Sequence, residues 1–148
     1  MKQIGTRLII SVSAALGLWA AAPAFADETL PAVQQQGYVH YITGGVGADE
    51  AKAVRAESVK YPLSLTFLLR NGTKDEFTSQ VKVEITKGAG APVFSATSDG
   101  PFMLIDLPPG KYRVTAVCNG RKKTQEVELH KGHHAGMTFE WPAQNEAG

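Results

Sequence analysis

The sequence predicts a mainly β protein: an antiparallel sandwich of seven short strands with one short N-terminal helix. Three observations support this prediction. Short apolar or alternating runs recur about every eight to twelve residues. Clusters of Gly, Pro, Asn and Asp separate these runs, and only one segment is rich in helix formers. The length of 148 residues suits one domain, and the single cysteine excludes an intrachain disulfide or a Cys-based zinc site.

Residues 1–26 are predicted to be a secretory signal peptide rather than part of the fold. Lys2 and Arg7 supply a positive start, an apolar stretch follows over 8–22, and an Ala-Phe-Ala cleavage pattern ends at Ala26. The apolar stretch is shorter than the roughly 20 residues that span a bilayer, which argues against a retained anchor. We therefore expect cleavage after Ala26, a periplasmic or secreted protein, and no stable membrane insertion.

Residues 27–60 are predicted to form an N-terminal extension with one short strand and one helix. The polar segment 27–36 predicts a loose lead-in. A β-branched and aromatic run over 38–43 predicts the strand. Good helix formers over 49–59, with two acidic residues in the first turn, predict the helix. The apolar stripe of this helix is thin, so we expect it to lie against the domain surface.

The remaining residues are predicted to form the β-sandwich, over 61–142, and a tail, over 143–148. Within the sandwich, apolar and polar residues alternate, or short apolar runs are bounded by turn residues. The predicted strands are 63–70, 81–85, 92–97, 102–107, 112–118, 121–129 and 137–141.

Asn119-Gly120 predicts a two-residue type I′ hairpin with a defined register. In that register Cys118 pairs with Arg121, and Arg113 pairs with Glu126. An opposite-charge pair on one face and apolar pairs on the other are what a correct register should give. Cys118 shares its face with apolar residues, which predicts a buried, unreactive thiol. The alternative is a reactive thiol whose pKa is lowered by the cationic residues 121–123 at the hairpin tip.

Residues 106–116 read DLPPGKYRVTA, and Asp-Gly and Asn-Gly turns flank them. This pattern resembles a carboxypeptidase regulatory-like domain, over roughly residues 61–141. The resemblance implies a transthyretin-like (prealbumin-like) seven-stranded sandwich, which is also grouped with immunoglobulin-like and carbohydrate-binding-like folds. It implies a non-catalytic accessory rather than an activity. Residues 43–50 (TGGVGADE) together with 61–63 are also similar to small proteobacterial periplasmic proteins that carry this module.

Transthyretin-related hydroxyisourate hydrolases are the enzymatic relatives of this fold. Their catalytic set uses histidines, an arginine and a C-terminal Tyr-Arg-Gly-Ser. Residues 141–148 of this chain read WPAQNEAG, so that tetrapeptide is missing. We therefore expect no enzyme and assign no catalytic residue.

Three histidines, His130, His133 and His134, are the candidate metal ligands. Neutral imidazoles are common ligands for zinc, copper and nickel, and a periplasmic protein meets such ions. A stable site needs three or four rigidly held ligands, and neighbouring strand residues such as His133 and His134 point to opposite faces. Solvated turn histidines are therefore the alternative interpretation.

The glycine-rich segment 44–47 precedes the predicted helix, as phosphate-binding loops do. It lacks the Lys-Ser/Thr of a P-loop, and the acidic residues at 49 and 50 would repel an anion. We interpret it as a flexible turn between the strand and the helix.

Together these features predict a non-catalytic, exported accessory or binding module without a cofactor. The expected partner is an envelope protein or a glycan. A formal net charge of +1 gives no electrostatic footprint for nucleic acid. A carbohydrate- or metal-ion-binding protein and a transthyretin-related hydrolase remain alternatives, and neither the ligand nor the oligomeric state follows from the sequence.

Overall fold

A computed structural model describes residues 30–143, which form ten strands and one helix. The predicted signal peptide (1–26) and the last residues of the predicted tail (144–148) lie outside the described residues. The helix is α1 (Ala48–Ser58). The strands are β1 (Gln34–Gln36), β2 (Val39–Gly44), β3 (Leu63–Asn71), β4 (Lys74–Phe77), β5 (Lys82–Lys87), β6 (Pro92–Thr97), β7 (Phe102–Asp106), β8 (Gly110–Cys118), β9 (Arg121–Leu129) and β10 (Ala135–Pro142).

The strands form two sheets that pack face to face as an immunoglobulin-like β-sandwich. Sheet A has the order β1-β2-β7-β3-β10, with β4 paired to the second half of β3. Sheet B has the order β6-β5-β8-β9. The ladders are antiparallel except between β3 and β10, which run parallel with Ala135 opposite Leu63. The prediction of a mainly β sandwich with one short helix is confirmed, with ten strands instead of seven.

Three strands are additional to the seven predicted for the sandwich: β2 is the strand predicted over 38–43, and β1 and β4 share a physical reason for being missed. Every residue of β1 and β4 is exposed, so neither strand has a buried face that would show as alternation in the sequence. Backbone pairing to β2 and β3 defines them instead. The predicted lead-in 27–36 therefore ends in a strand, and β1 and β2, from the predicted segment 27–60, are both strands of sheet A.

The core lies between the two sheets and consists of apolar side chains. Within residues 30–143 the buried polar residues are Thr43 and Ser98. Thr43 Oγ1 accepts a hydrogen bond from the Asp99 N–H at 2.9 Å, and Ser98 Oγ accepts one from the Val81 N–H at 3.0 Å. The largest fully buried side chains of this core are those of Trp141, Phe67, Phe94, Phe139, Leu63, Leu65 and Ile85. Each buried hydroxyl is thus used within the fold.

The β8–β9 hairpin has the register that the sequence predicts. Cys118 lies opposite Arg121, and Arg113 lies opposite Glu126, with a side-chain ion pair of 3.0 Å between the latter two. The turn residues at 119 and 120 have φ values of 52° and 76°, both positive as a type I′ turn requires. Cys118 is a free, buried thiol, which confirms the prediction for its burial.

Side chains close the two lateral seams between the sheets. On one side the indole Nε1–H of Trp141 donates to the Arg121 carbonyl at 3.0 Å. On the other side the Gln36 amide pairs with Ser95, accepting from its N–H at 2.6 Å and donating to its carbonyl. These bonds tie the edge strands of sheet A to the edge strands of sheet B.

Helix α1 covers part of the outer face of sheet A. Val54 is its buried residue and packs with Ile42, Phe102 and Leu104. This single contact row confirms the prediction of a surface helix. The backbone N–H of Gly45 donates to Glu50 Oε1 at 2.8 Å, so the chain's own carboxylate occupies the glycine-rich turn. No helix within residues 30–143 has the length and apolarity needed to cross a membrane.

Candidate functional site

The predicted metal ligands line a cleft at one end of the sandwich, which we call the end cleft. Three connections meet there: the α1–β3 turn, the β7–β8 turn and the β9–β10 loop. The cleft has a volume of about 380 Å³. Its lining residues are Val59, Lys60, Tyr61, Pro62, Leu107, Pro109, Leu129, His130, Lys131, Gly132, His133 and His134.

His134 is held by two hydrogen bonds, one to the turn before β3 and one to the start of β3. Its Nδ1 lies 2.7 Å from the Tyr61 carbonyl oxygen, and because a carbonyl only accepts, Nδ1 carries the hydrogen. In the neutral ring Nε2 then accepts from the Ser64 hydroxyl at 3.2 Å. Both ring nitrogens are therefore engaged within the protein, and the lone pair that a metal would need is already used.

The other two predicted ligands are neighbours in the β9–β10 loop. The rings of His130 and His133 are 6.4 Å apart and edge to face, and the His133 N–H donates to the His130 carbonyl at 3.1 Å. His130 Nε2 is 3.9 Å from Glu128 Oε1. No group of three His, Cys, Asp or Glu residues in the described chain is placed to hold a metal ion. The structure brings His130 and His133 together but not His134, and metal binding by this loop stays a prediction.

Polar groups of mixed charge surround the histidines. Lys60 forms an ion pair with Glu57 Oε2 at 3.0 Å. Burial raises the pKa of the Tyr61 phenol above its ordinary value of 10.0, and the negative charges of Glu57 and Asp106 raise it further. Tyr61 is therefore a neutral hydroxyl near neutral pH. The end cleft can offer hydrogen bonds to a ligand, and one of its two lysines, Lys60, is partly neutralised by Glu57.

A second hollow, the helix groove, lies between α1 and the outer face of β3, β4 and β7. It has a volume of about 210 Å³. The guanidinium of Arg55 stands over the rings of Phe77 and Phe102, 5.4 Å and 5.3 Å from their centroids. The other lining residues are Val54, Ser58, Ser64, Thr66 and Leu104. Ser64 also bonds to His134, so this one hydrogen bond joins the helix groove to the end cleft.

Sequence reasoning did not identify Arg55 or Phe77 as functional residues. Arg55 is one of several charged residues on α1, and Phe77 ends a charged, exposed strand. An exposed phenylalanine after Lys-Asp-Glu is a usable signal, because an isolated aromatic residue has no core role there. The pairing with Phe102, however, follows only from the sheet.

Comparison with known proteins assigns this chain to no family. The chain matches no protein-family model and no curated protein sequence. It is similar to the crystal structure of a minor pilin from the Gram-positive pathogen Streptococcus agalactiae, with 16% sequence identity and a TM-score of 0.46. That likeness covers 54% of this chain and 43% of the pilin chain, so this protein spans less than half of the pilin's length.

Proposed function

We propose that this chain is a non-catalytic, exported binding module that holds a glycan or a protein of the cell envelope. The observation that supports the proposal is that apolar side chains fill the interior between the two sheets. The buried polar residues within 30–143, Thr43 and Ser98, are both bonded inside the fold. Binding chemistry therefore lies in the surface hollows, where polar groups surround small open volumes.

The assignment to the carboxypeptidase regulatory-like kind belongs to the same proposal. Its support is the turn that carries the motif, between β7 and β8. The Tyr112 hydroxyl donates to the Pro108 carbonyl at 2.7 Å and so braces the turn against the strand that follows. Leu107 and Pro109 of the motif line the end cleft. The motif at 106–116 thus forms part of the wall of the end cleft, a candidate binding surface.

A glycan is favoured over a protein partner by the helix groove. Phe77 is 51% exposed and offers an aromatic surface next to the hydroxyls of Ser58 and Thr66. Sugars present both apolar faces and hydroxyl groups, so a hollow that combines these two features suits them. The groove is also small, which suits a sugar unit better than a protein surface.

Export is tested by expressing the full chain in a Gram-negative cell and fractionating the envelope. We expect a periplasmic protein whose N-terminal residue is Asp27, because the cleavage pattern ends at Ala26. A variant with Ala24→Leu and Ala26→Leu is the control, since large residues block this cleavage pattern. A cytoplasmic full-length chain from the wild-type sequence would contradict the proposal.

Binding is tested by NMR with the exported, ¹⁵N-labelled protein. Envelope glycan fragments and envelope protein extracts are added in separate titrations. We expect amide shifts confined to the helix groove or the end cleft, with the glycans chemically unchanged after prolonged incubation. Chemical conversion of a glycan fragment would identify an enzyme instead. The absence of amide shifts in every titration would refute a binding module.

A further inference from the structure

Arg55 is positioned for recognition before any ligand arrives. It lies in the second half of α1, and its guanidinium is 5.3 Å and 5.4 Å from two ring centroids that are themselves 5.3 Å apart. A guanidinium over aromatic rings is attracted to them and loses rotational freedom. The two rings therefore restrain a side chain that is usually mobile on a helix surface, which lowers the entropy cost of binding.

The charge of Arg55 is not neutralised by a described carboxylate. It forms no ion pair within residues 30–143, whereas Arg70 pairs with Asp75 and Arg113 pairs with Glu126. A guanidinium has five N–H donors and no acceptor, and its planar fork matches the two oxygens of a carboxylate. The edge of the Arg55 guanidinium is thus the unsatisfied cationic group of the helix groove.

The surroundings of Arg55 narrow the class of ligand. Thr66, on the groove wall, makes no side-chain hydrogen bond within the described chain, and Ser58 uses only its hydrogen, for the Arg55 carbonyl at 2.6 Å. The exposed Phe77 ring adds an apolar wall. A carboxylate next to several hydroxyls and an apolar ring face is the chemistry of an acidic sugar.

We infer that the helix groove binds a carboxylate-bearing sugar, with Arg55 holding the carboxylate, Thr66 and Ser58 holding hydroxyls, and Phe77 packing against the sugar ring. This inference rests on the proposed function as a binding module. It names the ligand class and places the site next to α1 instead of at the predicted histidines.

The chain itself carries one competing occupant. Leu30 packs against the cluster of Ile42, Val54 and Phe102 beneath the groove, and the residues at 27 and 28 are Asp and Glu. Their carboxylates lie within three positions of Leu30 in the sequence. The experiment must therefore separate an external carboxylate from an internal one.

The test is an NMR titration of the exported protein with D-glucuronate, and with D-glucose as the neutral match. We expect glucuronate to bind in the millimolar range, with the largest shifts at Arg55, Thr66 and Phe77, and glucose to bind at least tenfold more weakly. Arg55→Gln should weaken glucuronate binding by about tenfold or more, since it removes the charge-assisted bonds. Arg55→Lys keeps a point charge without the fork and should lie in between. Arg113→Gln, which removes an exposed arginine from sheet B, is the matched control and should leave binding unchanged.

Several results would overturn the inference. Equal binding of glucuronate and glucose, or an unchanged affinity in Arg55→Gln, would show that Arg55 does not hold the carboxylate of the ligand. Binding of N-acetylphenylalanine through Arg55 without binding of glucuronate would show that the ligand is a peptide carboxylate. Binding only after Asp27→Asn and Glu28→Gln would show that the site is internal. If glucuronate does not bind while other envelope fragments bind elsewhere on the protein, this inference is wrong and the proposed function is retained. If no fragment binds, both the inference and the proposed function are wrong.

Discussion

The backbone of Gly100 packs against the backbone of Gly44, and this contact should not tolerate a methyl group. Gly100 is buried in the turn that precedes β7, and a Cβ built there would lie 2.3 Å from the Gly44 carbonyl oxygen and 2.4 Å from its carbonyl carbon. Its φ is outside the left-handed region, so alanine adds no backbone strain of its own. The cost of Gly100→Ala is therefore steric.

The size of that cost follows from the distances. The favourable van der Waals distance between non-bonded heavy atoms is about 3.5 Å or more. The segments that carry Gly44 and Gly100 would therefore have to separate by about 1 Å. Overpacking costs about 1 to 3 kcal/mol, and we expect about 3 kcal/mol because the obstacle is backbone and not a flexible side chain. For a domain of this length that loss lowers the Tm by roughly 10 °C.

Circular dichroism during thermal and urea unfolding measures the effect. Gly136→Ala is the matched control, because a Cβ there would lie 3.5 Å from Ser64 Oγ and 3.7 Å from His134 Nε2, at ordinary contact. It should change the free energy of unfolding by less than about 0.5 kcal/mol. A wild-type Tm for Gly100→Ala, or equal losses in the two variants, would refute the steric reasoning.

Three further substitutions test the side-chain bonds at the two lateral seams between the sheets and the turn between β7 and β8. Trp141→Phe removes the indole bond to the Arg121 carbonyl and shrinks a buried side chain, so urea unfolding should show a loss of about 2 kcal/mol. Gln36→Ala should speed hydrogen exchange at the Ser95 amide, with a loss of global stability below about 1 kcal/mol. Burial raises the pKa of Tyr112 above its ordinary value of 10.0, so the neutral phenol stabilises the fold. That stabilisation is complete below pH 10.0 and is lost as the pH rises through the raised pKa, and Tyr112→Phe should lessen the alkaline loss seen in urea unfolding.

Each of these has a clear contrary outcome. Unchanged unfolding of Trp141→Phe would show that the seam bond adds nothing. Gln35→Ala is the control for Gln36→Ala, since the Gln35 amide bonds only to Gly37 within the same hairpin. Equal exchange at Ser95 in both variants would contradict the role of Gln36. An identical alkaline loss in Tyr112→Phe would place the titrating group elsewhere.

Local patterns predicted a large part of the fold. The register of the β8–β9 hairpin was correct because the Asn-Gly turn and the cross-strand charge pair act over fewer than twenty residues. The buried strands showed their alternation, and α1 showed its acidic first turn. β1 and β4 were missed because exposed strands carry no such alternation.

The candidate sites were harder to predict. The sequence drew attention to three histidines close together in the chain, yet His134 bonds to Ser64, seventy positions away. The helix groove was not predicted, since Arg55, Phe77 and Phe102 come from three separate elements. Residues at such separations become neighbours only after the sheet has formed.

The amino-acid sequence alone determined the class of fold, the positions of the buried strands and the tight hairpin, because turn preferences and the two-residue period of a half-buried strand are local properties. The tertiary structure decided the parallel pairing of β3 with β10, the entry of β1 and β2 into sheet A, and the place of Arg55 over two rings. These features depend on which distant segments share an edge or a face, and no local pattern of residues encodes that choice.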